Sequence, residues 1–129
     1  MLLVIDTTAD RCAIGLFDGP VARATRIEPM ARGHAERLAP LLEAVMEEAG
    51  AGRGALTRIA VCEGPGGFTG ARIGVAMARG LALALGVPAV GVDRFEALAA
   101  GLGGALLVTA PGPGGATAFR RFRDGAPAG

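Results

Sequence analysis

The chain contains no lysine, serine, asparagine, glutamine, tyrosine or tryptophan, and it has a single histidine, His34. Without serine there is no serine nucleophile. Without lysine there is neither a Walker-type lysine for a phosphate chain nor a Schiff base, which excludes P-loop NTPases and lysine aldolases. Cys12 and Cys62 stand far apart, outside any C-x-x-C spacing, so neither a zinc site nor a redox pair follows, and both read as small buried thiols. Charge of either sign is scarce. Thirteen arginines face twelve acids for a formal net charge of +1, so any contact with nucleic acid has to be local and no anionic membrane is attracted.

What is present is enough for one compact domain: 129 residues, 51% of them apolar. The first six residues reach Asp6 after a short apolar run without a basic leader, which predicts a cytoplasmic protein. The longest apolar stretch, residues 73–92, carries Arg79 near its middle and is broken by Gly86 and Pro88, so it reads as helix, turn and strand rather than a membrane span.

Residues 2–5 form a branched apolar run of the kind buried on both faces of a sheet, followed by Asp6-Thr7-Thr8. Residues 11–17 and 21–27, joined at Asp18-Gly19, read as a hairpin, so the chain opens on an antiparallel meander closed by Pro29 and Gly33. Residues 34–49 place Leu38, Leu41, Leu42, Val45 and Ala49 at helical spacing and stop at Gly50. A strand over 58–62, a glycine-rich loop over 64–70, a helix over 71–85 ending at Gly86, a strand over 88–92 and a short helix over 94–100 follow. The pattern of residues 2–6 through Asp18-Gly19 then returns as residues 106–110 through Asp124-Gly125, with a two-residue insertion. A meander, alternating helices and strands, and a restarted meander predict a duplicated α/β unit. The fold class is a mixed sheet with flanking helices, an actin-like (ASKHA, ribonuclease H-like) lobe over 1–103. The start of a shortened second lobe follows over 104–129.

Asp6-Thr7-Thr8, His34 leading Leu38 and Pro40, and above all Gly64-Pro65-Gly66-Gly67-Phe68-Thr69-Gly70-Ala71-Arg72-Ile73-Gly74 resemble the TsaB (YeaZ) family. The resemblance covers roughly residues 1–100. It implies an accessory subunit in bacterial synthesis of threonylcarbamoyladenosine in tRNA, with a TsaD-like paralogue as the transferase and a TsaE-like subunit as the ATPase. It further implies that tRNA is met only through the complex, and that the chain pairs with a second copy of itself when alone. The family's glycoprotease label does not fit a chain with one histidine. The chain departs from the family after residue 103, where Ala110-Pro111-Gly112-Pro113 replaces an expected Asp-Ala-Arg-like segment.

Two readings of the glycine-rich loop stand side by side. Asp6, Thr7, Thr8, Gly66, Gly67 and Thr69 have the composition of an anion or nucleotide loop, with Thr69 able to cap the helix. The alternative, favoured by the missing lysine, is a tight loop that brings helix and sheet together. The position matching Asp6 in the second copy is Ala110, so the paired carboxylates of a metal-nucleotide cleft are absent. No catalytic residue, metal ligand or cofactor is assigned. His34 reads as a helix-start residue. Arg120, Arg121 and Arg123 with Phe119 and Phe122 read as an edge strand with solvated arginines, an aromatic-basic RNA surface being the alternative.

The helix after the loop carries two rows of small residues, Gly70, Gly74, Ala78 and Ala76, Gly80, Ala84; one row can seat it on its sheet and the other can receive a second helix. The resemblance places a partner interface on the two long helices, at His34, Leu38, Leu41, Leu42, Val45, Arg72, Ile73, Gly74, Met77, Gly80 and Leu81. Two rivals remain: a nucleotide-binding ATPase or phosphotransferase of the actin-like group, and a degenerate paralogue that only self-associates. Replacing Gly74 or Gly80 with Leu is expected to weaken pairing more than folding, a difference that complex formation and denaturation measure on the same proteins.

Overall fold

The computed structural model describes residues 1–111 and 115–128. Its elements in chain order are β1 (Leu2–Asp6), β2 (Arg11–Asp18), β3 (Val21–Pro29), α1 (His34–Glu48), a 3-10 turn (Arg53–Ala55), β4 (Arg58–Gly64), α2 (Phe68–Leu85), β5 (Ala89–Asp93), α3 (Arg94–Ala99), β6 (Ala105–Pro111), β7 (Thr117–Arg123) and β8 (Ala126–Ala128). Five strands make one mixed sheet in the order β3-β2-β1-β4-β5, antiparallel across the opening meander and parallel from β1 through β4 to β5. The last three make a separate antiparallel sheet in the order β6-β7-β8.

Alternation along the strands sorts the first sheet into two faces. Leu3, Ile5, Cys12, Ile14, Leu16, Ile59 and Val61 point to one side and meet Leu38, Leu41, Leu42, Val45 and Met46 of α1 and Ala78 of α2 in one core. Pro40 lies on the outer side of α1, where the carbonyl it leaves without a donor is open to water. The reverse face is partly open: Val4, Ala13, Gly15, Phe17, Thr25 and Ile27 border a shallow cavity there, and Ile27 is 61% exposed.

The β2–β3 and β7–β8 hairpins each use a two-residue loop. Gly19 takes φ 57 at the first central position between Asp18 and Val21, while Asp124 (φ 51) and Gly125 (φ 81) are both left-handed. The restarted meander is therefore a strand, turn, strand unit like the first, though Gly112 and Pro113 lie outside the described residues. Its core is small: Phe95 and Ala99 of α3 pack on Ala110 of β6 and Phe122 of β7. Asp93 caps α3 by accepting the Glu96 N–H (3.0 Å) and pairs with Arg120 of β7 (3.0 Å), whose guanidinium lies 5.3 Å from the Phe95 ring centre.

The arginine-rich strand β7 is the middle strand of its sheet and not an edge, because Ala126–Ala128 adds a further strand on its other side. The edge falls to β8, which carries Pro127. Of the three arginines, Arg120 is half-buried and paired while Arg121 and Arg123 are exposed; Phe122 is buried and Phe119 is 66% exposed.

The two rows of small residues on α2 part company. Gly70, Gly74 and Ala78 are buried against the sheet, whereas Ala76, Gly80 and Ala84 face outward. A Cβ on Gly74 would stand 2.6 Å from Thr7 Oγ1 and 3.4 Å from Ile5 and Val61, but one on Gly80 would meet nothing within 4 Å. The expectation for Gly74 is thereby corrected. Gly74→Leu should cost the fold about 3 kcal/mol or more through overpacking. Gly80→Ala should add about 1 kcal/mol of stability through helix propensity alone. Urea denaturation of both variants against the parent measures the contrast.

Candidate functional site: the β1 end, the glycine-rich loop and the helix layer

Residues that sequence chemistry singles out gather where β1 ends. Asp6 Oδ1 accepts from the Thr8 backbone N–H (2.9 Å) and from the Thr8 hydroxyl (2.6 Å), and Asp6 Oδ2 lies 3.5 Å from Arg11 Nη2. The Thr7 hydroxyl donates to the Gly70 carbonyl across the seam (2.5 Å), and Gly67 N–H donates to the Thr8 carbonyl (2.7 Å). Thr7 and Thr8 are each only 1% exposed. Both hydroxyls and both carboxylate oxygens are thus engaged by the chain itself, and one loop N–H that an anion would need is already donated.

The glycines explain how so close a seam forms. A Cβ at Gly66 would fall on the Thr8 carbonyl, and one at Gly70 on the Thr7 carbonyl. With Gly74 they make a row at four-residue spacing through which α2 lies directly against the end of β1. The helix begins earlier than its pattern predicts, at Phe68. Gly67 holds the N-cap position in an extended conformation with no side-chain cap, so Thr69 sits inside the first turn and does not cap it.

Burial pushes the Asp6 carboxyl up, but the hydrogen bonds from Thr8 and the charges of Arg11 and Arg94 outweigh burial and hold its pKa below the usual carboxylate value. Asp6, Arg11, Cys62 and Arg94 border a cavity of about 190 Å³ between the sheet and α3. Burial raises the Cys62 thiol, which stands 3.6 Å from the Thr8 hydroxyl; burial, then the Glu28 charge, raises Cys12. Among the described residues no group of three or more His, Cys, Asp or Glu side chains is placed to hold a metal ion.

His34 opens α1 and is 7% exposed. Its Nε2 lies 3.1 Å from the Arg11 carbonyl and 3.3 Å from that of Ala9; since both are acceptors, Nε2 carries the proton and pins the helix start to the β1–β2 connection. A second cleft, about 480 Å³, opens where the starts of α1 and α2 converge, lined among others by Asp10, Arg32, Glu36, Phe68 and Thr69.

The residues assigned to a partner interface separate by burial. Leu38, Leu41, Leu42 and Val45 of α1, with Gly74 of α2, are buried against the chain's own sheet, and His34 is buried at the edge of the second cleft with its Nε2 turned inward to the β1–β2 connection, which corrects their expected role. An amphipathic helix turns its apolar stripe to its own sheet first. Ile73, Met77 and Leu81 are half-buried at the margin of that core, and Arg72 and Gly80 are exposed. The outward face holds the second small-residue row expected on α2, Ala76, Gly80 and Ala84, together with two residues that sequence reading missed, Ala39 on α1 and Leu83 on α2, Leu83 being 87% exposed. Its signal was the second small-residue row, extended by one leucine.

The sequence matches the family TsaD: tRNA N6-adenosine threonylcarbamoyltransferase over residues 27–117. It is 33% identical over 100 residues to the tRNA threonylcarbamoyladenosine biosynthesis protein TsaB of Escherichia coli, covering 78% of this chain and 43% of that protein. A tRNA N6-adenosine threonylcarbamoyltransferase of Erythrobacter litoralis is 45% identical over 69 residues, 54% of this chain and 20% of that one. The solved structure of YeaZ from Pseudomonas aeruginosa superposes with a TM-score of 0.82 at 28% identity, over 98% of this chain and 62% of that one. The chain spans less than half the length of the curated TsaB relative.

Meander, crossover helices and restarted meander define an α/β protein of the actin-like, ASKHA class. Within that class the chain belongs to the TsaB (YeaZ) family.

Asp6 has a depressed pKa, so its stabilisation is present above its unfolded-state value of about 3.9 and is lost as the pH falls through the lower folded value. Asp6→Asn should therefore melt below the parent near neutral pH, by roughly 1–3 kcal/mol of lost hydrogen bonding, and the gap should close in strong acid. Melting curves over that pH range decide it; a gap that does not change with pH removes the assignment.

Proposed function

We propose that the chain acts without a complete active site of its own, as a scaffold subunit in tRNA threonylcarbamoyladenosine formation. Its helix layer would hold a TsaD-like transferase, and a second copy of the chain in that partner's absence. A TsaE-like ATPase and tRNA enter only through the assembled complex, in the cytoplasm. The lobe over 1–103 is the holding unit, and 104–129 opens a second. TsaB-named relatives support the pathway.

The observation that carries the proposal is α2 itself. It is an 18-residue helix with mean hydropathy 1.3, long and apolar enough by length and composition to cross a membrane, yet only three of its residues, Gly70, Gly74 and Ala78, are fully buried within the chain. Its two arginines, its place as the crossover between β4 and β5, and the glycine row seated on the sheet fit a soluble helix layer with one face left for another protein. A helix of this composition facing water alone is the kind of surface that marks an interaction site.

The rival reading, a nucleotide-binding ATPase or phosphotransferase, is favoured by Asp6 at a strand end beside a cavity that also holds Arg11 and Arg94. Against it stand the prior engagement of both Asp6 oxygens and the absence of lysine.

Size-exclusion chromatography with light scattering, on the chain alone and mixed with a bacterial TsaD, tests the scaffold reading. A mixed complex is expected, and Gly80→Leu should weaken it about tenfold or more while leaving the chain folded, because the new side chain blocks close helix approach. A chain that stays separate from TsaD at tens of micromolar overturns the reading, and ATP titration by calorimetry then tests the rival.

A further inference from the structure

The outward face of the helix layer carries opposite charge on its two ridges. On α1, Glu36, Glu43 and Glu47 recur at helical spacing on the side away from the core and are exposed. On α2 the outward ridge holds Arg72 and Arg79, seven residues apart and exposed, and the helix has no acidic residue. Arg72 is held over the Phe68 ring at 4.0 Å. Glu43 pairs with Arg53, while Glu36, Glu47, Arg72 and Arg79 have no ion-pair partner among the described residues. Among the described residues, Glu63 is the acid that borders the flank of α2 beside the two arginines. Between the ridges lies a shallow valley of small side chains, Ala39 on one helix and Ala76, Gly80 and Ala84 on the other.

The two helices run in the same direction, since α1 joins β3 to β4 and α2 joins β4 to β5, and these strands are mutually parallel across the sheet. A two-fold axis along the valley therefore lays α1 of one copy over α2 of the other, acid on base at both ends of the contact. An axis across the valley instead sets α1 on α1 and α2 on α2, like on like.

We infer that these opposed ridges fix the orientation in which a second copy of this chain docks, with the two-fold axis along the α1–α2 valley. The inference rests on the reading of this face as the docking surface and adds what sets its register. Charge complementarity makes the face self-matching, and a second copy is the occupant it fits by construction.

Two charge-reversed chains test it: Glu36→Lys with Glu47→Lys, and Arg72→Glu with Arg79→Glu. All four positions are exposed, so the fold should stand, and circular dichroism with thermal melting verifies that. Each reversed chain alone should self-associate about tenfold more weakly than the parent at low salt, and the 1:1 mixture of the two should regain parental affinity as a heterodimer. Combining all four changes in one chain should also restore self-association, and added salt should weaken every restored pair. A parent that stays monomeric at tens of micromolar, or reversed chains that pair as tightly as the parent, overturns the inference. Binding of TsaD by the parent is read separately, so loss of charge control with TsaD binding intact sinks this inference alone. Loss of TsaD binding with charge control intact sinks only the scaffold reading.

Discussion

Everything in the helix layer depends on how closely α2 approaches the end of β1. The contact is backbone on backbone: the Thr8 carbonyl lies where a side chain of residue 66 would stand and the Thr7 carbonyl where one of residue 70 would, and the Thr7 hydroxyl reaches the Gly70 carbonyl. Any larger residue in that row would lift the helix from the sheet. Because the closest part of the seam is one narrow stripe of α2, flanked by half-buried residues such as Ile73, Met77 and Leu81, the opposite side of the helix is left uncovered by the chain. The same glycines that suggest a phosphate cradle thus produce an apolar outer surface, and the polar groups beside them are spent on holding the seam together.

Much of this was legible in the sequence, for identifiable reasons. The opening meander shows itself through alternation and the Asp18-Gly19 turn, and α1 through its repeating leucines. The division of α2 into two small-residue rows follows from spacing alone, and the sheet-facing row is Gly70, Gly74, Ala78. What spacing could not say is which of several apolar positions a partner would see. Leu38, Leu41, Leu42 and Val45 belong to the amphipathic stripe that the chain's own sheet takes first, so the outward residues of α1 are instead polar or small.

Two further features were invisible for local reasons. Ala126–Ala128 has neither β-branched nor aromatic residues, and it becomes a strand only because the left-handed Asp124-Gly125 turn folds it back on β7. The start of α2 at Phe68 likewise has no capping side chain to announce it; the extended Gly67 and its hydrogen bond to Thr8 set the boundary. In both places tertiary pairing overrides a weak local signal.

Helix α3 follows the last strand of the first sheet, yet its buried residues Phe95 and Ala99 are covered by Ala110 and Phe122 of the restarted meander, with Asp93 and Arg120 as a polar clasp. The first sheet's last helix and the second sheet therefore share a small core that neither could make alone. Neither side can be repacked alone: in so small and close-packed a cluster, added or lost bulk at Phe95 is felt at once by Phe122, so the last helix of the first sheet and the whole of the second sheet answer to one pair of rings.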